Sequence, residues 1–258
     1  GRVTSQKDLQ VNLTEDLLNH SQGELVSEGT LTVNADSLDN SQGGILSAAK
    51  ALSVTTQGLL NNQAGKLLAD DTTSLFSGDL DNSQGGVISA KNSIDIHSAN
   101  LNNSQQGSIK SDAGITLDAG QVDNSQQGSI FAKSTVNATL TGLDQHDRGE
   151  LVSNTGINLD LNHGVLINRD RGLIATPGKL LLTNLGFVDN SQGGEISSEQ
   201  SFLLAADSLN NRGGKVISRD SLQLQVASAL DNSLKGVLSA RNVLQVATAS
   251  LDNRSGGA

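Results

Sequence analysis

The sequence predicts an all-β fold: a parallel β-helix (solenoid) of about twelve coils of about 21 residues, forming a single repeat domain over residues 1–258. Three observations predict it. The string Asp-Asn-Ser-Gln recurs at Asp39–Gln42, Asp81–Gln84, Asp123–Gln126 and Asp189–Gln192. Between these strings, apolar residues alternate with a period of two, which marks strands and not helices. The chain also has no Trp, Tyr, Met or Cys, only four Phe and one proline, Pro177. Its core must therefore be built from Leu, Ile, Val and Ala, and a thin core suits that palette.

Each element of the coil follows in order. An aliphatic residue two places before the Asn-like position is found in twelve copies, beginning Leu18, Leu38, Leu60 and ending Leu230, Leu251, at separations of 20 to 23 residues. Five or six residues after the Asn comes an aliphatic–X–small triplet, as in Leu25–Ser27, Ile45–Ser47, Leu67–Ala69 and Val87–Ser89. An alternating apolar pair follows, as in Leu31/Val33, Leu52/Val54, Ile94/Ile96 and Leu222/Leu224. Asn, Asp, Ser, Gln and Gly fill the intervals, as turns require. A repeat of this size has too little apolar surface to form its own core, so it must stack on its neighbours. A leucine-rich repeat of similar length needs a helical side, and no 3.6-residue period is present.

Stacking places the recurring asparagines in line. Asn40, Asn62, Asn82, Asn103, Asn124, Asn168, Asn190, Asn211, Asn232 and Asn253 are expected to form a ladder in which each side-chain amide donates to one neighbour and accepts from the other. The left-handed backbone of a sharp corner is assigned to the Asn, with pairs such as Gly43–Gly44 and Gly85–Gly86 completing the turn. His20 falls on the ladder position and His146 beside it, both read as exposed turn residues. The middle residue of the triplet is apolar in most copies (Val26, Leu46, Leu68, Ile88, Phe131, Val152, Ile174, Ile217 and Leu238), with Lys110 and Ser197 breaking the series. Either it forms an outward apolar stripe suited to lateral self-association, or the strand bends and packs both neighbours inward, the reading preferred.

With the pattern in view, Leu38–Ser47 followed by Leu52/Val54, and Leu80–Ser89 followed by Ile94/Ile96, read as Leu-Asp-Asn-Ser-Gln-Gly-Gly-x-Ile/Leu-Ser and then an apolar pair. This resembles the haemagglutinin-type repeats of large bacterial exoproteins, among them filamentous haemagglutinin adhesins and the stalks of contact-dependent growth inhibition toxins. The resemblance runs from about Leu9 to Asn253. It implies a right-handed β-helix, export through two-partner secretion with an outer-membrane transporter as partner, and a location outside the cell or on the bacterial surface. It further implies a structural, adhesive filament segment that projects an adhesin or toxin element toward a target-cell receptor or host surface. The lack of an initiator Met and of a signal pattern reads as a piece of a longer polypeptide.

Composition limits the chemistry. The net charge of −10 argues against nucleic acid, which needs a basic footprint, and against anionic membrane surfaces. No segment approaches the length of a membrane span. With no cysteine there is no disulfide or thiolate metal site, and the four histidines (His20, His97, His146, His163) are scattered. No catalytic residue, metal or cofactor is expected, and the chain is read as not an enzyme. The rival from another class is a β-helical polysaccharide-active enzyme, against which stand the near-constant coil length and the missing sugar-stacking Trp and Tyr. A third reading is a direct receptor-binding surface. Coils 141–178 are the irregular ones: Leu143-Asp144-Gln145-His146-Asp147-Arg148 and Asn168-Arg169-Asp170-Arg171 replace the usual corner. His146, Arg148, Arg169 and Arg171 are therefore the candidate partner-contact residues.

Overall fold

The computed structural model describes residues 1–258 and contains strands and turns but no helix. Twelve coils stack as a β-solenoid, every strand pairing in parallel with its equivalent in the next coil. The first sheet has twelve strands, from Arg2–Ser5 and Glu24–Ser27 to Lys215–Ser218 and Val237–Ala240. A second column starts at Leu9–Asn12 and Leu31–Ala35, and a third at Leu17–Leu18 and Leu38–Asp39. In six coils the second and third strands run together, as in Thr73–Asp81, Ile94–Asn102 and Lys179–Asp189. The backbone ladder continues round the corners: Asn40 N donates to Asn61 O at 2.7 Å and Gln42 N to Gln63 O at 3.0 Å.

The strand residues alternate as the period-two pattern requires. Leu31/Val33, Leu52/Val54, Ile94/Ile96 and Ile157/Leu159 are all buried, and one apolar cluster of 50 residues runs through the stack. At about 25 cal/mol per Å² of apolar surface, this shared core is what holds coils too small to fold alone. Beside it runs an inward column of small residues, Ser27, Ala48, Ala69, Ala90, Ser111 and Ala132. Where that residue is serine, its hydroxyl satisfies corner carbonyls, as Ser153 does to Ser134 O (2.8 Å) and Gly156 O (2.7 Å).

Five expectations need correction. The first aliphatic slot belongs to Leu17, which pairs with Leu38, while Leu18 is 68% exposed. The triplets mixed two registers. Leu25, Leu46, Leu67 and Ile88 face the core together, and Ile45 and Val87, like Leu173 and Val237, face outward. A one-residue shift moves a side chain to the opposite face, and adjacent aliphatics such as Ile45-Leu46 hide the shift. Consequently the strand does not bend inward: each first-sheet strand from Glu24 to Ser218 keeps strict alternation. The middle-residue series splits into inward Leu46, Ile88, Ile174 and Leu238 and outward Val26, Leu68, Phe131, Val152 and Ile217. Finally, the ladder position of the first corner is Asn19, not His20, and the asparagines do not carry the left-handed backbone. Gln42 (φ 53°) and Gly43 (φ 82°) carry it, as do Gln105 (φ 52°) and Gln106 (φ 66°).

Candidate partner-contact surface on the asparagine corner

The corner between the third and first sheets follows one plan in most coils, shortened by one residue at Asn62–Gly65 and Asn211–Gly214, where only Ala64 and Gly213 are left-handed. Asp39 Oδ1 accepts from Ser41 N at 3.0 Å, an Asx turn that starts the bend. Two left-handed residues turn the chain, and a glycine closes it: Gly44 N donates to Ser41 O at 3.1 Å. This last glycine is required by space. A Cβ on Gly107 would lie 2.5 Å from Asn82 O and 2.6 Å from Asn103 O.

Inside the corner the side-chain amides form an unbroken file. Asn40 Nδ2 donates to Asn62 Oδ1 at 2.7 Å and also to Gly44 O (3.1 Å) and Lys66 O (3.2 Å). The same contacts recur through Asn62, Asn82, Asn103 and Asn124, and then through Asn168, Asn190, Asn211, Asn232 and Asn253. Two members escaped the motif. Asn19 begins the file, donating to Asn40 Oδ1 at 2.8 Å. Gln145 joins its halves, accepting from Asn124 at 3.0 Å and donating to Asn168 at 3.2 Å. The aliphatic two residues upstream, Leu143, was the available signal for Gln145. From Asn19 to Asn232 these amides are buried, so each bond forms where an unmet polar group would cost most.

The outer edge of the corner carries the charges. Asp144 and Asp123 stand in adjacent coils, as do Asp231 and Asp252, while Asn61 and Asn210 donate to Asp39 and Asp189 at 3.2 and 3.0 Å. Arg254 holds the Asp252 carboxyl down to about 2, its guanidinium and backbone N–H both donating to the carboxylate. No group of three or more His, Asp and Glu side chains converges as a metal would require.

Of the irregular-coil residues, His146 Nδ1 lies 2.7 Å from Asp144 Oδ1, and Arg169 is paired with Asp170. Both are half-buried and engaged within the chain. Arg148 and Arg171 differ. They occupy equivalent left-handed positions of successive coils (φ 64° and 68°) and are exposed without a carboxylate partner. With Asp147, Asp170 and Gln192 they line one shallow furrow. It continues along the column of Gln84, Gln105, Gln126 and their neighbours. The structure thus groups Arg148 with Arg171 and sets His146 and Arg169 to neighbouring turn positions. The longest coil absorbs its extra length at the junction of the second and third sheets, where Asn162 (φ 48°) and His163 (φ 63°) form a second left-handed turn. There Asp160 Oδ1 accepts from Asn162 N at 2.9 Å, and its carboxyl is lowered by that bond, by Asn184 and by His163.

The family model described as haemagglutinin repeat matches residues 26–75, the span from the first sheet of the second coil to the second sheet of the fourth. The same corner, register and amide file extend through the coils beyond the matched span. No curated protein and no solved structure matches the chain.

Proposed function

We propose, proceeding from a filamentous haemagglutinin-type repeat region stacked as one column, that the chain is a rigid spacer in a secreted bacterial exoprotein. It projects an adhesin or a growth-inhibition toxin element from the cell surface toward a target cell. The observation that carries this reading is the amide file running without a break from Asn19 to Asn253, flanked by three parallel ladders. A column bonded coil to coil on every side resists bending. At roughly 4.8 Å per coil it reaches about 55–60 Å. Export through an outer-membrane transporter of a two-partner system fits the same architecture. Each emerging coil can dock on the one before it, without a long-range search and without cysteines to mispair. Arg148 and Arg171 supply the contact to a target-cell receptor or host surface, as the one pair of stacked, unpaired cations on the corner.

The test is a deletion of residues 66–128, which joins Gly65 to Ser129 in register and removes three coils. In the parent exoprotein, secretion should persist while effector delivery to target cells falls. Unchanged delivery would refute the spacer role. Separately, loss of cell attachment in Arg148→Ala/Arg171→Ala supports the contact assignment, and full attachment removes it.

A further inference from the structure

The outer face of the first sheet does not look like the rest of the surface. Parallel sheets are ordinarily covered on both faces, yet this one meets solvent over twelve strands. Its third-place residues include Val26, Leu68, Phe131, Val152 and Ile217, and the first place adds Ile45, Val87, Leu173 and Val237. On the second sheet most outward residues are polar, among them Thr32, Ser53, Ser74, Thr116, Asn137 and Asn158, with Phe76, Leu181 and Leu203 as exposed apolar exceptions. An apolar residue repeated on most strands of one face is an interface feature.

Charges on that face identify its partner. Arg2 pairs with Glu24 at 3.0 Å and Lys215 with Glu195 at 3.7 Å. Lys66, Lys110 and Glu150 have no ion-pair partner within the chain. We propose that this face binds a second copy of the same chain, antiparallel, about a two-fold axis at the strand Ser129–Ala132. With the axis along that strand, equivalent columns oppose each other, and coils equally distant above and below Phe131 meet. Val87 then faces Leu173 of the second copy, and Lys66 faces Glu195. Lys110 meets the coil of Glu150, two residues along the strand and within reach of a lysine. Each contact occurs twice, and Phe131 packs on its own symmetry mate.

Three neighbouring arrangements bring like charges together. Parallel association about the column axis sets Lys66, Lys110 and Glu150 each beside its own copy. Shifting the antiparallel axis by one coil places either two Lys110 or two Glu150 side chains on it, and half a coil toward Glu150 opposes Lys66 to Lys215. Like charges in apposition select against these registers. Eleven coils at roughly 4.8 Å and a strand width of about 13 Å cover about 700 Å² per copy. The total, about 1,400 Å², lies in the range of stable specific interfaces.

The experiment is sedimentation equilibrium of the 258-residue chain over a micromolar concentration series, with Lys110→Glu, Glu150→Lys and the double exchange. The parent chain is expected to dimerise. Each single variant puts two pairs of like charges into the interface and should raise the dissociation constant at least about tenfold. The double exchange should restore it. Phe131→Lys should abolish the dimer. At concentrations low enough to dissociate the dimer, thermal melts of the variants should match the parent, since neither the Lys110 nor the Glu150 side chain is bonded within the chain. A chain that stays monomeric, grows into open-ended assemblies, or dimerises equally well in the single variants would overturn the proposal.

Discussion

The amide file can be tested at its centre. Asn103 Nδ2 donates to Asn124 Oδ1 (2.7 Å), Gly107 O (3.2 Å) and Ser129 O (3.2 Å), and its Oδ1 accepts from Asn82 at 2.7 Å. Asn103→Ala removes all four bonds. It strands Asn124 Oδ1, which has no other donor, and withdraws one acceptor from Asn82. A buried polar atom left unmet costs roughly 1–3 kcal/mol, and each net hydrogen bond contributes about 1. The expected loss is therefore about 3–4 kcal/mol. Asn253 offers the control, because it sits exposed in the last coil and makes one bond to the file. Asn253→Ala should cost well under about 1 kcal/mol. Urea unfolding followed by far-ultraviolet circular dichroism measures both. Asn103→Asp sharpens the test. A carboxylate at this site would face three carbonyl oxygens with no proton to donate, so burial raises its folded pKa above the unfolded value of about 3.9. The variant should be most stable below the unfolded pKa. It should lose stability as pH rises from there to the folded pKa, and stay low above it. If Asn103→Ala matched Asn253→Ala within about 0.5 kcal/mol, the file would not be a principal source of cohesion.

Three further outcomes follow from other positions. Leu46→Asp should unfold the chain while Ile45→Asp leaves its melting temperature nearly unchanged, since the first is buried and the second outward. Equal effects would refute the register. Gly107→Ala should destabilise by at least about 2 kcal/mol, because its Cβ would strike two backbone oxygens, whereas Gly85→Asn, with φ +75° and open space around it, should cost less than about 1; urea midpoints decide. Asp252, held to about 2 by Arg254, contributes a stabilising charge pair above its unfolded pKa that is lost as pH falls through about 2. In Arg254→Ala the carboxyl should titrate near its ordinary value, read by carbon-13 shifts of the carboxyl group.

Much of the fold was legible because a repeat writes each structural demand many times. The apolar pairs, the Asn positions and the coil spacing each reported one column of the stack, and a single ambiguous copy was outvoted by its neighbours. Ambiguity persisted where two aliphatics stood side by side, at Ile45-Leu46, Val87-Ile88, Leu173-Ile174 and Val237-Leu238. The signal that resolves them is the glycine that precedes: Gly44, Gly86, Gly172 and Gly236 stand where Gly65 and Gly107 do, so the inward residue always lies two places later. Gln145 departs from the asparagine pattern, yet one added methylene still lets its amide reach both neighbours.

What the sequence determined alone was the length of the coil, the number of coils and which residue types fill each column, because stacking at one period is the only way such short strands can bury their apolar side. Tertiary structure decided what periodicity leaves degenerate. It set which of two adjacent apolar residues faces the core, and which turn residues carry the left-handed backbone. It also decided which side chains of different coils become neighbours on the outside, as Arg148 does with Arg171. Those outcomes depend on close approach between coils, where a glycine sits against an asparagine carbonyl, and a distance of that kind exists only once the column has formed.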